Sequence, residues 1–157
     1  MKLRNKMGIV FFIIIVLIIL IDILTLHRYK FNTVSGNGNP GLVPIFLIIL
    51  VLLWFSFNLI NLIANTSFGK FNLIILFIVI LPVTIFLNKW AWYHQCKKLM
   101  FIKEQLIEKN IPIELVSDIT SGISIYTNTV YFNYITLLMF LSIVISFGLI
   151  IALIKKI

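Results

Sequence analysis

Four apolar runs, each about as long as a lipid bilayer is thick, set the class of protein that this chain can form. The runs cover residues 8–26, 42–65, 71–92 and 130–154. A helix rises about 1.5 Å per residue, so about 20 apolar residues cross a hydrocarbon core about 30 Å thick. The sequence therefore predicts an all-α integral membrane protein whose four transmembrane helices form an up-down bundle.

The residues outside these runs are too few for a second domain. The chain has 157 residues, of which 61% are hydrophobic, and the four runs use more than half of it. An independent soluble domain needs about 50 residues with a core of its own. We therefore expect residues 1–157 to form a single membrane domain, with residues 93–129 as its one long loop.

The positive charge of the chain lies at the ends of the apolar runs. The 13 Lys and Arg residues outnumber the 5 Asp and Glu residues, which gives a formal net charge of +8. Basic residues that flank apolar runs are typical of topology signals and of contacts with anionic headgroups. Basic and aromatic residues do not interleave along a soluble face, as a nucleic-acid site would need. The predicted partner is the lipid bilayer, and nucleic acid is not expected.

The same charges predict an orientation. Lys2, Arg4 and Lys6 precede the first run, whereas Lys155 and Lys156 follow the last. The total counts on the two sides are nearly balanced, but a compact basic cluster before the first helix usually dominates. The first run is longer than the apolar core of a cleaved signal peptide and has no small-residue cleavage site, which predicts a retained signal anchor. We expect a multi-pass cell-membrane protein with both termini cytoplasmic.

Two features bear on the packing of the second and third helices. The loop between them spans only about residues 66–70, and so short a loop predicts antiparallel neighbours in a helical hairpin. The third run contains Pro82, which lacks a backbone N–H and predicts a kink. Neighbouring helices are expected to satisfy the carbonyl that this proline leaves free.

The third loop is expected to be only partly regular. Residues 96–109 have a helical apolar face, which predicts an amphipathic helix that either lies on the membrane or continues the third span. Residues 113–116 and 123–126 are rich in β-prone side chains, which predicts a small hairpin. The apolar face of the helix comprises Leu99, Met100, Ile102, Leu106 and Ile107.

Asp22 is the one acidic residue inside an apolar run. A carboxylate at the bilayer centre costs about 2.5–3.5 kcal/mol, and the position of Asp22 near the end of its run reduces that cost. The structural interpretation is an interfacial acid that contacts headgroups or pairs with Arg28 or Lys89. The functional interpretation is an ion or proton site, or a contact for a partner.

One stripe of polar residues lies along a face of the second run. Trp54, Asn58, Asn61 and Asn65 are spaced at i, i+4, i+7 and i+11, which places them on one face of a helix. Amides in a membrane helix avoid lipid, so we expect this stripe to face another helix and to form hydrogen bonds worth about 0.6–2 kcal/mol each. It would serve as structural contact within a bundle or homo-oligomer, as a polar pathway, or as a docking face for a partner helix.

Other candidate residues favour packing and anchoring. Ser142 and Ser146 form a small-xxx-small pair, which predicts a seam of close helix contact. At the end of the third run, a basic residue and three aromatic residues predict anchoring at the membrane interface. These interfacial anchors are Lys89, Trp90, Trp92 and Tyr93.

No residue pattern in the chain predicts catalysis. His27 and His94 are expected at the same membrane surface, but further ligands for a metal or haem are not evident. The one cysteine, Cys96, excludes an internal disulfide and a CxxC pair, and is expected to be an interfacial thiol. Catalytic triads, HExxH motifs and phosphate-binding loops are missing from the sequence. We expect a protein that is not an enzyme and uses no cofactor or metal.

Two classes of function remain open. The first is an interaction protein of the bacterial membrane, either a self-protection (immunity) protein or an accessory subunit, that binds a membrane-protein partner or its own copy. Ile-, Leu-, Asn- and Lys-rich usage suggests an AT-rich bacterial gene. The alternative is a small transporter or channel component whose path includes Asp22, Pro82 and the amide stripe. Carriers usually have more intramembrane charge or an inverted repeat, which favours the first class.

Overall fold

The computed structural model describes residues 2–25 and 38–156, and the regular secondary structure of these residues is entirely helical. Four of the helices are long and apolar enough to cross a membrane, as predicted. The helices are α1 (Lys2–Ile23), α2 (Leu42–Ala64), α3 (Lys70–Glu108), α4 (Ile113–Thr120), α5 (Asn128–Tyr131) and α6 (Tyr134–Ile154). Residues 26–37, which include His27 and Arg28, lie outside the described part of the chain.

The long helices pack side by side in the order α1, α2, α6, α3. The largest contacts are those of α6 with α3 and with α2, followed by that of α1 with α2. Helix α6 therefore lies between α2 and α3, and the prediction that α2 and α3 pack as a hairpin is wrong. Small residues of α6 allow this central position. At Gly148 the two helices approach so closely that an added Cβ atom would lie 3.0 Å from the Ile63 side chain of α2. The short loop between α2 and α3 therefore joins two helices that lie on either side of α6.

Contacts along the helices establish their relative directions. Leu73, near the start of α3, is buried against Leu149 and Ala152 near the end of α6. The Lys155 Nζ atom donates to Asn65 Oδ1 at 3.0 Å, so the ends of α2 and α6 meet. The two helices on either side of α6 thus run in opposite directions to one another.

Helix α3 is much longer than a membrane span. Its 39 residues correspond to about 58 Å at about 1.5 Å per residue, compared with a hydrocarbon core of about 30 Å. Residues 96–108 are helical, but they continue α3 and are not a separate helix of the loop, because neither Gly nor Pro interrupts residues 83–108. Of the two arrangements that the sequence allows, the structure adopts the continuous one.

The apolar face of this extension is covered by the rest of the third loop. Ile102 and Leu106 are fully buried against Val116 of α4, Tyr126, and Val130 of α5. Met100 and Ile107, predicted for the same face, are exposed. The apolar face therefore packs against protein through a stripe narrower than predicted.

The predicted β-hairpin is wrong. Residues 113–120 form α4, and residues 125–127 form a turn. Pro112 precedes the helix, Glu114 lies in its first turn, and Val116 and Thr120 are buried one turn apart. Each of these features favours a helix, since an acid near the N-terminus complements the helix dipole and an i, i+4 spacing defines one helical face. The β-propensity of the branched residues is weaker than this local pattern.

The fourth apolar run is divided at Asn133. Asn133 Oδ1 accepts hydrogen bonds from the backbone N–H groups of Ile135 and Thr136. In return, Thr136 Oγ1 accepts a hydrogen bond from the Asn133 N–H at 3.0 Å. This reciprocal capping box starts α6 at Tyr134, and the preceding residues 128–131 form the separate short helix α5.

Candidate functional sites

The amide stripe lies on an outward face of α2. Trp54 is 42% exposed, Asn61 and Asn65 are exposed, and Asn58 is half-buried. The buried residues of α2 that form its contact with α1 lie on other faces of the helix; they are Ile45, Ile48 and Phe55. The expected hydrogen bonds of the stripe to a neighbouring helix are therefore absent over most of its length in the described part of this single chain.

The amides of the stripe bond instead to their own helix. Asn58 Nδ2 donates to the Trp54 carbonyl at 2.8 Å, and Asn65 Nδ2 donates to the Asn61 carbonyl at 2.9 Å. The bond to the Trp54 carbonyl is the one hydrogen bond of the Asn58 side chain within residues 2–25 and 38–156. A carboxamide has two N–H donors and an acceptor oxygen, so a single donated bond leaves most of its capacity available.

A second site is a cavity of about 530 Å³ beside the C-terminal end of α1. Its walls come from α1, from α3 beyond the aromatic anchors, and from the α5–α6 junction. Among the described residues, those with polar groups that line it are Asp22, His94, Lys98, Thr129, Asn133 and Tyr134. The apolar residues that line it include Ile15, Ile19 and Leu137. The cavity therefore has one charged and polar region and one aliphatic region.

The polar region of this cavity is held by a short hydrogen-bond network. Lys98 Nζ donates to Thr129 Oγ1 at 2.7 Å, and its distance to the Thr129 carbonyl is 3.5 Å. Asn133 Nδ2 donates to the same carbonyl at 2.9 Å while its oxygen caps α6. The His94 Nδ1 atom is buried and has no hydrogen-bond partner among the described residues. The network fixes a lysine ammonium at the level where α6 begins.

The two serines of the predicted seam face α3. Ser142 and Ser146 are both buried, and the Ser146 and Thr84 hydroxyl oxygens lie 3.2 Å apart. The Thr84 hydroxyl also donates to the Ile80 carbonyl at 2.9 Å. All three side chains thus satisfy their hydroxyl groups inside the α3–α6 contact, two residues beyond Pro82. This arrangement is typical of structural contact rather than of a reactive site.

The predicted interfacial residues lie where α3 leaves the predicted membrane span. Trp92 and Tyr93 are strongly exposed, and the Trp90 ring stacks on Phe86 with centroids 6.3 Å apart. Lys89 is exposed on the same stretch of helix. Twenty-two residues separate Lys70 from Trp92, a rise of about 33 Å along the helix, which matches one bilayer core.

The structure separates the elements that a transport path was predicted to share. Asp22 lines the cavity at the end of α1, whereas Asn65 is at the end of α2 and contacts Lys155. These two ends lie at opposite sides of the molecule, because Phe11 of α1 packs against Phe55 of α2 and Ile18 lies level with Ile48. His27, predicted at the same membrane surface as His94, lies outside the described residues. In the described ranges, no three His, Cys, Asp or Glu residues cluster as metal ligands would.

Sequence reasoning missed one polar contact that fastens the first loop. The side-chain amides of Asn39 and Asn128 donate to each other's oxygens at 2.9 and 2.8 Å. Asn128 is fully buried. Gly41 makes room for this pair, since a Cβ there would lie 2.3 Å from Asn128 Nδ2. The Gly- and Asn-rich composition of the loop signals turns but not a partner so distant in sequence.

The chain matches no family model, no curated protein and no solved structure.

Proposed function

We propose that this chain is a non-enzymatic interaction protein of the bacterial cell membrane that binds a helix of another membrane protein through the amide stripe of α2. The observation that supports this best is the position of Asn58 and Asn61 on the outward face of a helix whose other residues, apart from Ser56, are apolar. Its biological role would be that of a self-protection protein or of an accessory subunit.

Amides that face lipid are energetically costly. Asn58 precedes Asn65 by seven residues, which places it about 10 Å inside the membrane from the end of α2. An unsatisfied polar group in hydrocarbon costs several kcal/mol, and the bond to the Trp54 carbonyl uses one of the two donors. A partner helix that supplied a carbonyl, hydroxyl or amide would remove this cost. Trp54 adds a large, partly exposed ring at the inner end of the stripe.

In the membrane, helices α1, α2, α3 and α6 would cross as an up-down bundle with both termini cytoplasmic. The extension of α3, together with α4 and α5, would then lie outside and offer a second surface for recognition. A topology reporter fused after residue 157 tests the orientation. Activity of a reporter that works only in the cytoplasm supports it, and activity of one that works only outside the cytoplasm contradicts it.

A protection assay tests the interaction role. Cells that lack this protein should become sensitive to a secreted product of a neighbouring gene, and the wild-type chain should restore resistance. The Asn58→Leu/Asn61→Leu variant should accumulate in the membrane as the wild type does but fail to restore resistance. Unchanged resistance in the deletion strain would exclude self-protection, and full restoration by the double variant would exclude the stripe as the binding face.

A matched control separates the stripe from general effects on α2. Leu53 and Phe57 are also strongly exposed on α2 but lie to one side of the stripe. The Leu53→Val/Phe57→Leu variant should therefore protect as well as the wild type. Cysteines introduced at position 61 in a Cys96→Ser background should cross-link to the partner, whereas those at position 53 should not. A cross-linked dimer of this chain would instead identify a second copy as the occupant of the stripe.

A further inference from the structure

We infer that the cavity between the end of α2, the start of α3 and the end of α6 binds one acyl chain of an anionic phospholipid, whose phosphate is bound by Lys155 and Lys156. Asn58 and Asn61, on which the proposed function depends, do not line this cavity. Lipid binding there is therefore independent of the proposed partner helix.

The cavity follows from the central position of α6. Because α6 lies between α2 and α3, these two helices make few direct contacts although only a short loop joins them. The space left between them has a volume of about 300 Å³. All but one of the described residues that line it are aliphatic or aromatic, so its interior suits a hydrocarbon occupant. Its walls include Leu62 and Ile63 of α2, Leu76 and Ile80 of α3, and Leu149 of α6.

The dimensions of the cavity fit one hydrocarbon chain and exclude a helix. The cavity extends from Phe68 in the loop to Ile80 of α3. Ile80 lies about 15 Å along the helix from Lys70, which is about half of a hydrocarbon core about 30 Å thick. A volume of about 300 Å³ over this length gives a mean cross-section of about 20 Å², whereas a helix about 10 Å wide needs about 80 Å². An acyl chain of the adjacent leaflet therefore fits, and a partner helix does not.

The cavity is open to the side. Leu62 is 46% exposed and Leu76 is 40% exposed although both line the cavity. These two residues belong to the two membrane helices that α6 keeps apart, so the opening between them faces the hydrocarbon region of the bilayer. An acyl chain can enter from the bilayer while its headgroup stays at the level of the loop.

Two lysines at the end of α6 lie at the loop end of the cavity. Lys155 Nζ donates to Asn65 Oδ1 at 3.0 Å, and Lys156 Nζ donates to the Phe68 carbonyl. Phe68 itself lines the cavity, so the loop that closes the cavity also positions both ammonium groups. Both acceptors are neutral oxygens, and an ammonium has three N–H donors, so each lysine keeps its positive charge and donors for a phosphate.

The positive charge at this end of the molecule is not balanced by acidic residues. Lys70, at the start of α3, is exposed at the same end. The chain has five acidic residues, and all of them lie at the opposite end, in the last turn of α1, in the extension of α3 and in α4 that packs on this extension. They are Asp22, Glu104, Glu108, Glu114 and Asp118. The basic end therefore attracts a lipid with a net negative charge more strongly than a zwitterionic lipid.

Lipid binding to the purified full-length protein tests this inference. Phosphatidylglycerol and phosphatidylcholine with identical acyl chains would be titrated in detergent and their affinities measured by native mass spectrometry. Phosphatidylglycerol should bind at least tenfold more tightly, because each lysine near an anionic headgroup contributes about fivefold. Equal affinities for the two lipids would overturn the inference.

A pair of lysine variants locates the headgroup. Lys155→Gln/Lys156→Gln should weaken phosphatidylglycerol binding by at least tenfold and leave phosphatidylcholine binding unchanged. Lys103→Gln/Lys109→Gln removes the same charge from exposed positions at the opposite end of α3, and it should bind both lipids as the wild type does. Equal losses in the two double variants would show an effect of net charge alone and would refute the site.

An apolar variant tests the acyl chain with every lysine in place. Leu76→Trp fills the cavity and should weaken phosphatidylglycerol binding several-fold. Ile78→Trp, at an exposed position of α3 that does not line the cavity, should bind as the wild type does. Water-soluble glycerophosphoglycerol should compete poorly, because it lacks the chains. Wild-type affinity in Leu76→Trp, or equal competition by the soluble headgroup, would show that the cavity does not hold an acyl chain.

Discussion

Asn39 and Asn128, 89 residues apart in the chain, join their side-chain amides through two reciprocal hydrogen bonds of 2.9 and 2.8 Å. The pair connects the end of the first loop to α5, just before the helix that occupies the centre of the molecule. Since Asn128 is fully buried, its amide depends on Asn39 for these bonds. Leaving a neutral buried amide without its hydrogen-bond partner lowers the free energy of unfolding by about 1–3 kcal/mol.

Gly41→Ala should destabilise the protein by about 1–3 kcal/mol, because the new Cβ would lie 2.3 Å from Asn128 Nδ2 and displace the amide pair. The backbone itself is not strained, since Gly41 has φ −68° and ψ −13°. Thermal unfolding in detergent measures the change. Gly69 is the matched control: it also caps the start of a helix, and a Cβ there meets nothing within 4 Å. Equal effects of the two substitutions would contradict the explanation.

Asn133→Ala should cost about 0.5–2 kcal/mol, because it removes the side chain that caps α6. The oxygen lost accepts from the N–H groups of Ile135 and Thr136 at 2.8 and 3.1 Å. Chemical unfolding in mixed micelles measures the cost. Asn133→Ser, which keeps a capping oxygen but loses the Nδ2 bonds to the Thr129 and Val130 carbonyls, should retain part of the stability. Exposed Asn72→Ala in α3 should behave as the wild type. Full stability of Asn133→Ala would show that the cap is dispensable.

Gly148→Ala should destabilise the α2–α6 contact by about 1 kcal/mol or more, since the added Cβ would lie 3.0 Å from Ile63. Gly8 in α1 provides the control, because a Cβ there meets nothing within 4 Å. Gly8→Ala should be neutral or stabilising by up to about 1 kcal/mol, as expected for Ala in a helix. Addition of Ile63→Ala should recover part of the loss in a double-mutant cycle. Additive effects of the two substitutions would argue against direct contact.

Tyr126 should make stability fall at high pH. Burial raises the pKa of the Tyr126 phenol above its usual value of about 10. The folded state therefore keeps the proton when the unfolded state has lost it, so the stabilising contribution is complete below about pH 10 and declines as pH rises through the folded pKa. Unfolding measured at a series of pH values should show a shallower alkaline decline for Tyr126→Phe than for the wild type. An unchanged slope in Tyr126→Phe would contradict the prediction.

Local patterns predicted much of the fold. The length of the apolar runs predicted four helices that could span a membrane, and the structure has them. The cap at Asn133 was not predicted, although Asn133-Tyr134-Ile135-Thr136 stands before an apolar run as a capping sequence does. Where local signals conflicted, as in residues 113–116, the helical spacing of Val116 and Thr120 outweighed β-propensity.

Contacts between distant residues were not predictable in this way. The sequence identified Asp22 and the amide stripe as unusual, but not that Lys98 and Thr129 share a cavity with Asp22. It also gave no indication that Asn39 pairs with Asn128. A single sequence contains the polarity of each residue but not the rotation of each helix about its axis, and the rotation decides which polar groups meet.

Helix length and hydropathy are properties of contiguous residues, so the chain's capacity for four membrane-spanning helices could be predicted from its residues alone. The central place of α6 between α2 and α3, the outward face of the α2 stripe and the shared cavity of Asp22 and Lys98 are visible only in the folded protein. They depend on how the helices pack. The small residues of α6 admit close neighbours on two sides, and once this central helix is enclosed, the remaining faces of the other helices are left to lipid or to a partner.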